Sequence, residues 1–292
     1  MNLFFKNLIF LTALLEASLL MACPITNFEN QMNSNAITDE ARLTSTINEA
    51  DFDLLVERIS ETFNGLFKRQ GLKLKINANW KNPKINAFSD QNGSTRYIYL
   101  FGGYARYPMM DKDTFLSVIC HEIGHHLGGF PRESGSTWAS AEGQADYYST
   151  LKCMKMILKD DIENEKIALS LDLPNEVKDL CRSQFTKDDD YFICLRSAKA
   201  SEIYGKINAS LATPNSRKEI SLLTPVKNRV FSTDLSYPLP QCRVDTKFQG
   251  ALCNVDVNIP LGYDDENKGA CSIKNGNTLG VRPACWFTPR LF

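Results

Sequence analysis

The three histidines of this 292-residue chain all fall within one run of six residues, His121-Glu122-Ile123-Gly124-His125-His126. Phe115, Leu116, Ile119 and Ile123 give the surrounding segment a helical apolar period. Asp111 or Asp113 can cap its start, and Gly128-Gly129 must end it. In a helix, residues four apart lie one above the other on the same face. His121 and His125 can therefore offer nitrogens to one tetrahedral zinc ion about 2 Å away. His126 points about 100° away around the helix and is a poor ligand. Glu122, beside the first histidine, approaches the metal where a bound water would lie. It can accept that water's proton and pass it to a leaving amine.

A catalytic zinc needs a third protein ligand and an open fourth position. No histidine remains elsewhere, so a carboxylate or a thiolate must serve. The next predicted helix, over residues 137 to 158, contains Glu142-Gly143-Gln144-Ala145-Asp146. Glu142 and Asp146 are one turn apart on one face. Glu142 can bind the metal while Asp146 accepts a hydrogen bond from the far nitrogen of a ligating histidine. The plainer readings are an accidental motif and two surface carboxylates on a helix. The first would have to place every histidine of the chain in the motif by chance.

Upstream, Phe52, Leu55, Val56, Ile59, Phe63, Leu66 and Phe67 predict an amphipathic helix that stops at Gly71. Strict alternation from Leu72 to Trp80 predicts a half-buried strand. Residues 85 to 89 and 96 to 101 read as two more strands, separated by the turn-forming Asp90-Gln91-Asn92-Gly93. Further helices are expected over about 175 to 182 and 189 to 207. Beyond Pro214 the pattern is irregular and cysteine-rich, and short strands stapled by disulfides are expected there. The expectation is an α+β fold with a small antiparallel or mixed sheet beside a helical body. It ends in a disulfide-rich irregular segment from about residue 230.

Lys6 followed by the apolar run from Leu8 to Leu15, with small residues before Cys23, describes a secretory signal over residues 1 to 22. The run is short and broken by Glu16, which argues against a membrane span. Leu20-Met21-Ala22-Cys23 is similar to a bacterial lipobox, making Cys23 the candidate lipidation site; plain cleavage near Ala22 is the alternative. Residues 23 to 45 read as a polar lead-in, and 46 to 292 as one domain. Nine cysteines less Cys23 leave an even eight, consistent with an oxidising compartment. Proximity favours the pairs 181–194, 242–253 and 271–285, with Cys120 and Cys153 either paired or buried thiols. A net charge of −1 gives no electrostatic case for nucleic acid or an anionic membrane surface. Membrane attachment is expected only through a lipidated Cys23.

HEIGHH followed by EGQAD resembles the gluzincin metallopeptidases that include the CAAX prenyl endopeptidases, HtpX and the BepA-type proteases. Their pattern is HExxH on one helix and ExxAD on the next. Asn86, Ala87 and Phe88 are similar to the family's Asn-Ala-Phe segment, an edge strand that holds extended substrate. The resemblance covers about residues 50 to 155 and implies a zincin-like fold with zinc between the two helices. Farther on, Ser236-Tyr237-Pro238 stands where the family often has Ser-Thr-His-Pro, with Arg243 six residues after Tyr237. In the family that histidine is thought to steady the oxyanion. A tyrosine hydroxyl can donate the same bond, so Tyr237 is either that donor or an aromatic packed before a proline. Arg243 either holds the site's carboxylates or braces the C-terminal segment. The resulting expectation is an exported zinc metalloendopeptidase of the periplasm or cell envelope acting on protein or peptide substrates. A zinc-bearing envelope chaperone or binding lipoprotein is the alternative, and a purely structural lipoprotein a third.

Overall fold

The computed structural model describes residues 45–212 and 219–290. The expected signal, Cys23 and nearly all of the lead-in lie outside the described residues. Ser45 is described, and its Oγ donates to the carbonyl of Ala105 at 2.7 Å.

Helix α1, Glu49–Arg69, begins with a capping box in which the Asn48 side chain accepts from the Asp51 amide and Asp51 accepts from the Asn48 amide. It buries Phe52, Leu55, Ile59, Phe63 and Phe67, the stripe the sequence predicts. Strands β1 (Lys73–Asn79), β2 (Ala87–Asn92) and β3 (Thr95–Phe101) form one sheet in the order β1-β3-β2. β1 pairs parallel to β3, and β2 pairs antiparallel to it. The sheet is therefore mixed. The expected four-residue turn at 90 to 93 is shorter, because Asp90, Gln91 and Asn92 all pair with β3. The reversal falls on Gly93-Ser94, where Gly93 takes φ 56°, a conformation glycine adopts without a Cβ penalty.

After α2 (Gly102–Ala105) comes α3, Lys112–Leu127, capped by the Asp111 side chain accepting from the Thr114 amide at 2.7 Å. One face of α3 packs Phe115, Ile119 and Ile123 with α1 and the sheet residues Ile98 and Leu100. The following helix does not start at residue 137. Residues 137 to 141 are non-helical: the chain bends at Thr137 and Trp138, and Ser140 bridges to Arg132. α4 then runs Glu142–Tyr148 and continues through a π-helical turn, Ser149–Cys153, into α5, Met154–Leu158.

Helices α6 (Asn164–Ser170), α7 (Asn175–Gln184), α8 (Asp188–Leu211) and α9 (Pro240–Leu252) complete the helical body. A second core joins Val177, Leu195, Val244, Phe248 and Leu252 of α7, α8 and α9. α9 corrects the expectation of short strands in the C-terminal segment, none of which occurs among its described residues. Its apolar period is obscured because it buries Arg243 and Lys247 beside Val244 and Phe248.

Four disulfides link Cys120–Cys153, Cys181–Cys194, Cys242–Cys285 and Cys253–Cys271. The pairs 242–253 and 271–285 expected from proximity are replaced. Cys242 and Cys253 lie in the first turn and at the end of one 13-residue helix, some 16 Å apart at about 1.5 Å per residue, far beyond disulfide reach. Among the described residues no helix is long and apolar enough to cross a membrane.

Candidate metal centre

α3 and α4 approach closely because residue 124 is glycine. A Cβ there would stand 2.8 Å from the Ala145 carbonyl oxygen and 2.9 Å from its Cα. At that crossing His121 and His125 of α3 meet Glu142 of α4. One ligand atom from each lies within 4.8 Å of the others, and all three side chains are buried. His121 Nε2 is 3.3 Å from Glu142 Oε2, and His125 Nε2 is 3.7 Å from Glu142 Oε1. A tetrahedral site with bonds of about 2.1 Å requires ligand atoms roughly 3.4 Å apart. The described residues thus hold a group that could bind a metal ion.

The outer nitrogens are committed elsewhere. His125 Nδ1 lies 2.8 Å from the Ser140 carbonyl oxygen, and the Ser140 amide donates to the His125 carbonyl at 2.9 Å. His121 Nδ1 lies 2.9 Å from Asp146 Oδ1. With a proton on each Nδ1, both Nε2 lone pairs face Glu142, the tautomer a metal needs. Neither buried nitrogen of His121 makes a well-aligned hydrogen bond: Nδ1 is held to Asp146 by proximity of charge, and Nε2, 3.3 Å from Glu142 Oε2, is in an arrangement a bound cation would relieve.

Asp146 is fully buried. Arg243 Nε and Nη2 donate to its two oxygens at 2.6 and 3.0 Å, and Lys247 Nζ lies 3.3 Å from Oδ1. Arg243 Nη2 also stands 3.4 Å from Glu142 Oε2. Two carboxylates are thus balanced by two cations on α9. Burial alone would raise the pKa of Asp146, but Arg243 and Lys247 outweigh it and hold the carboxyl well below its usual range. Burial likewise opposes ionisation of Glu142, yet His121, His125 and Arg243 bring it down to about 2. For His121, burial disfavours the charged form; the Asp146 and Glu142 carboxylates prevail and push it up to about 9. A metal ion taking Nε2 must displace that proton.

Glu122 is 2% exposed, and Ser89 Oγ lies 2.8 Å from both its Oε2 and its carbonyl oxygen. Ser89 belongs to the edge strand β2, so the strand expected to take substrate runs beside Glu122. Within that segment the Asn86 side chain accepts from the Ala87 amide at 2.9 Å, Ala87 is buried, and Phe88 stacks on Tyr99 at 4.4 Å. Tyr237 lies with its ring 4.2 Å from the Arg243 guanidinium. His126 turns away from the centre. Its Nε2 lies 3.1 Å from the Tyr97 carbonyl oxygen and its ring stacks on Trp138.

No protein family, no curated protein and no solved structure matches this chain. The geometry alone therefore speaks for the site. It brings in four groups that reasoning from sequence misses: Ser89, Glu133 (its Oε1 3.8 Å from His125 Nδ1), the Ser140 carbonyl and Lys247. One signal points to the last. Pro240 stands at a first helical position, and Arg243 and Lys247 then follow four residues apart.

Proposed function

We propose that this protein is an exported zinc metalloendopeptidase of zincin-like fold, with the gluzincin ligand set His121, His125 and Glu142. The observation that carries the reading is the convergence of those three buried side chains beside a buried Glu122. Two imidazoles and one carboxylate are the donors typical of catalytic zinc. Zinc held there would supply Lewis acidity for the scissile carbonyl and acidify water to a pKa near 7.

The chain's own residues supply the rest. Glu122 takes the proton from the attacking water and returns it to the leaving amine, with Ser89 holding one of its oxygens at 2.8 Å. Ser140 and Asp146 fix the two imidazoles. Arg243 and Lys247 keep Asp146 ionised in a buried setting. Tyr237 is the candidate donor to the oxyanion, its ring set on Arg243. The outer edge of β2 offers main-chain groups to an extended protein or peptide substrate, a mode indifferent to sequence. Four disulfides favour an oxidising compartment such as the periplasm or cell surface, with Cys23 as the proposed lipid anchor.

The test is hydrolysis of casein and unfolded proteins by the zinc-loaded protein, with and without phenanthroline, beside the Glu122→Gln variant. The variant should retain its zinc and lose activity by on the order of 10²–10⁴-fold. Full activity in the variant would reject the role of Glu122. A zinc-loaded wild type that binds unfolded protein without cutting it would instead indicate a binding protein or chaperone.

A further inference from the structure

We propose that the outer face of the β1-β3-β2 sheet is a docking surface for an anionic phospholipid membrane. The inference goes beyond the peptidase reading and does not depend on it.

The net charge of −1 hides a segregation along the chain. From Lys68 to Arg106 there are eight lysines and arginines and one acid, Asp90, so the acidic excess lies elsewhere. The fold gathers this stretch into the sheet and the turns and helix ends that border it. Strand alternation then sorts the two faces of the sheet. Leu74, Ala87, Ile98 and Leu100 are buried on the inner one, in the core shared with α1 and α3. The opposite face carries Phe88, Tyr97, Tyr99 and Phe101, each with part of its ring in solvent, and Lys75, whose Nζ lies 5.8 Å over the Tyr97 ring. Lys73, exposed like Lys75, stands two residues before it on the same face of β1. Asp90, in register with Tyr97, is the one carboxylate those strands place there. Arg106, set on Trp80 at 4.6 Å, marks the far end of the sheet. Among the described residues no ion pair joins Lys73, Lys75, Arg96 or Arg106 to a carboxylate.

Three observations choose the occupant. Lysines beside tyrosines and phenylalanines match a bilayer interface, where amphipathic rings sit at headgroup level and ammonium groups meet phosphate. The rings also stack on one another, Phe88 on Tyr99 at 4.4 Å and 12°, and Tyr97 on Tyr99 at 6.1 Å and 20°. Their faces are thus occupied within the protein, and what they offer outward is edges and hydroxyls. That disfavours a single-stranded nucleic acid, whose bases stack on free ring faces. Lastly, the chain leading from the proposed anchor Cys23 enters the described structure at Ser45. There Ser45 Oγ donates to the Ala105 carbonyl at 2.7 Å, one residue from Arg106, and the Thr46 amide donates to the Met110 carbonyl at 3.1 Å. An anchored molecule is therefore tethered at the end of the sheet that bears Arg106.

The experiment uses the chain from residue 23 on, carrying Cys23→Ser so that no acyl group is attached, with its four disulfides formed. Co-sedimentation is measured with vesicles of phosphatidylcholine alone and of phosphatidylcholine with an equal part of phosphatidylglycerol. Binding to the mixed vesicles should be at least about 10-fold tighter, and should weaken as ionic strength rises from about 0.01 to 0.15 M. Lys73→Gln/Lys75→Gln should bind the mixed vesicles about 10- to 30-fold more weakly. Lys166→Gln/Lys187→Gln, the same change of charge at exposed lysines outside the sheet, should bind as tightly as the chain without it. Equal losses in the two pairs would show that net charge is read and not this face, which overturns the inference. Absent binding, or binding indifferent to phosphatidylglycerol, overturns it as well. A Lys75-dependent affinity for a single-stranded oligonucleotide that exceeds the affinity for the mixed vesicles would reject the membrane as occupant. None of these readouts needs catalysis, so a failure of the peptidase reading leaves them intact.

Discussion

Arg243 donates to both oxygens of Asp146 and is 1% exposed, so its loss leaves a buried carboxylate with only Lys247 and the His121 ring beside it. Breaking a buried pair by removing one partner costs about 3–5 kcal/mol. Arg243→Ala is expected to lose that much in urea unfolding of the metal-free protein and to bind zinc more weakly by titration. A variant as stable as the wild type would mean that Lys247 suffices. How legible each residue was follows from how it reaches the site. His121, Glu122 and His125 are set by helical periodicity within five residues, so spacing alone reveals them. Glu142 and Asp146 follow once a second helix must cross the first. Arg243 entered only through a resemblance, and Ser89 and Lys247 did not enter. Ser89 meets Glu122 across 33 residues, and Arg243 meets Asp146 across 97 with Lys247 one turn farther on, and no local pattern encodes such meetings.

Among the elements, α1, β1 and β3 follow from their apolar periods because each packs one face on a shared core, and α3, buried all round from Thr114 to His125, is read from the spacing of Phe115, Ile119 and Ile123. α4 and α9 do not, because their inward faces carry the polar groups of the centre. The end of α9 shows how the fold meets the cost. Lys155 Nζ donates to the carbonyls of Gly250 and Cys253, and Lys152 Nζ to that of Asp256, so lysines from the preceding helical run satisfy groups that a helix C-terminus leaves open. Burial, with Lys152 adding repulsion, lowers Lys155 to about 7; burial lowers Lys152 to about 8. Unfolded lysine titrates near 10.4. Between about pH 7 and 10.4 these two lysines therefore bind more protons in the unfolded chain than in the folded one, and their contribution to stability rises with pH across that window, while His121, held up to about 9, works in the opposite sense below that pH unless zinc occupies it. In the zinc-loaded protein, where the metal keeps His121 free of its second proton, the urea midpoint should be higher at pH 9.5 than at pH 7, and Lys155→Met should flatten the rise. A midpoint that falls over this range in the wild type but not in the variant would contradict the assignment.

On the scale of the molecule, α8 joins two apolar cores, giving Tyr204 and Ile207 to one with α1, α3 and the sheet, and Leu195 and Ala198 to the other with α7 and α9. The C-terminal tail closes over α4. Trp286 fills the space at Gly143, where a Cβ would stand 2.4 Å from the indole, and Arg282 Nε donates to Gln144 at 2.6 Å. The tail is anchored to α9 by Cys242–Cys285. Its irregular sequence made its course unreadable, since its path is fixed by what it covers. The bond between Cys120 and Cys153 has a different reach. It encloses His121, Glu122, His125, Glu142 and Asp146 in one loop, and in the chain-entropy picture closing a loop of that size is worth roughly 3–4 kcal/mol. A denatured chain that keeps this hoop still carries every donor of the centre on one short circle, so an ion seized by two imidazoles finds its carboxylate without a search through the whole polymer. Renaturation in zinc should accordingly be faster for the oxidised wild type than for a Cys120→Ala/Cys153→Ala double variant, and equal rates would show that the hoop plays no part in recapture.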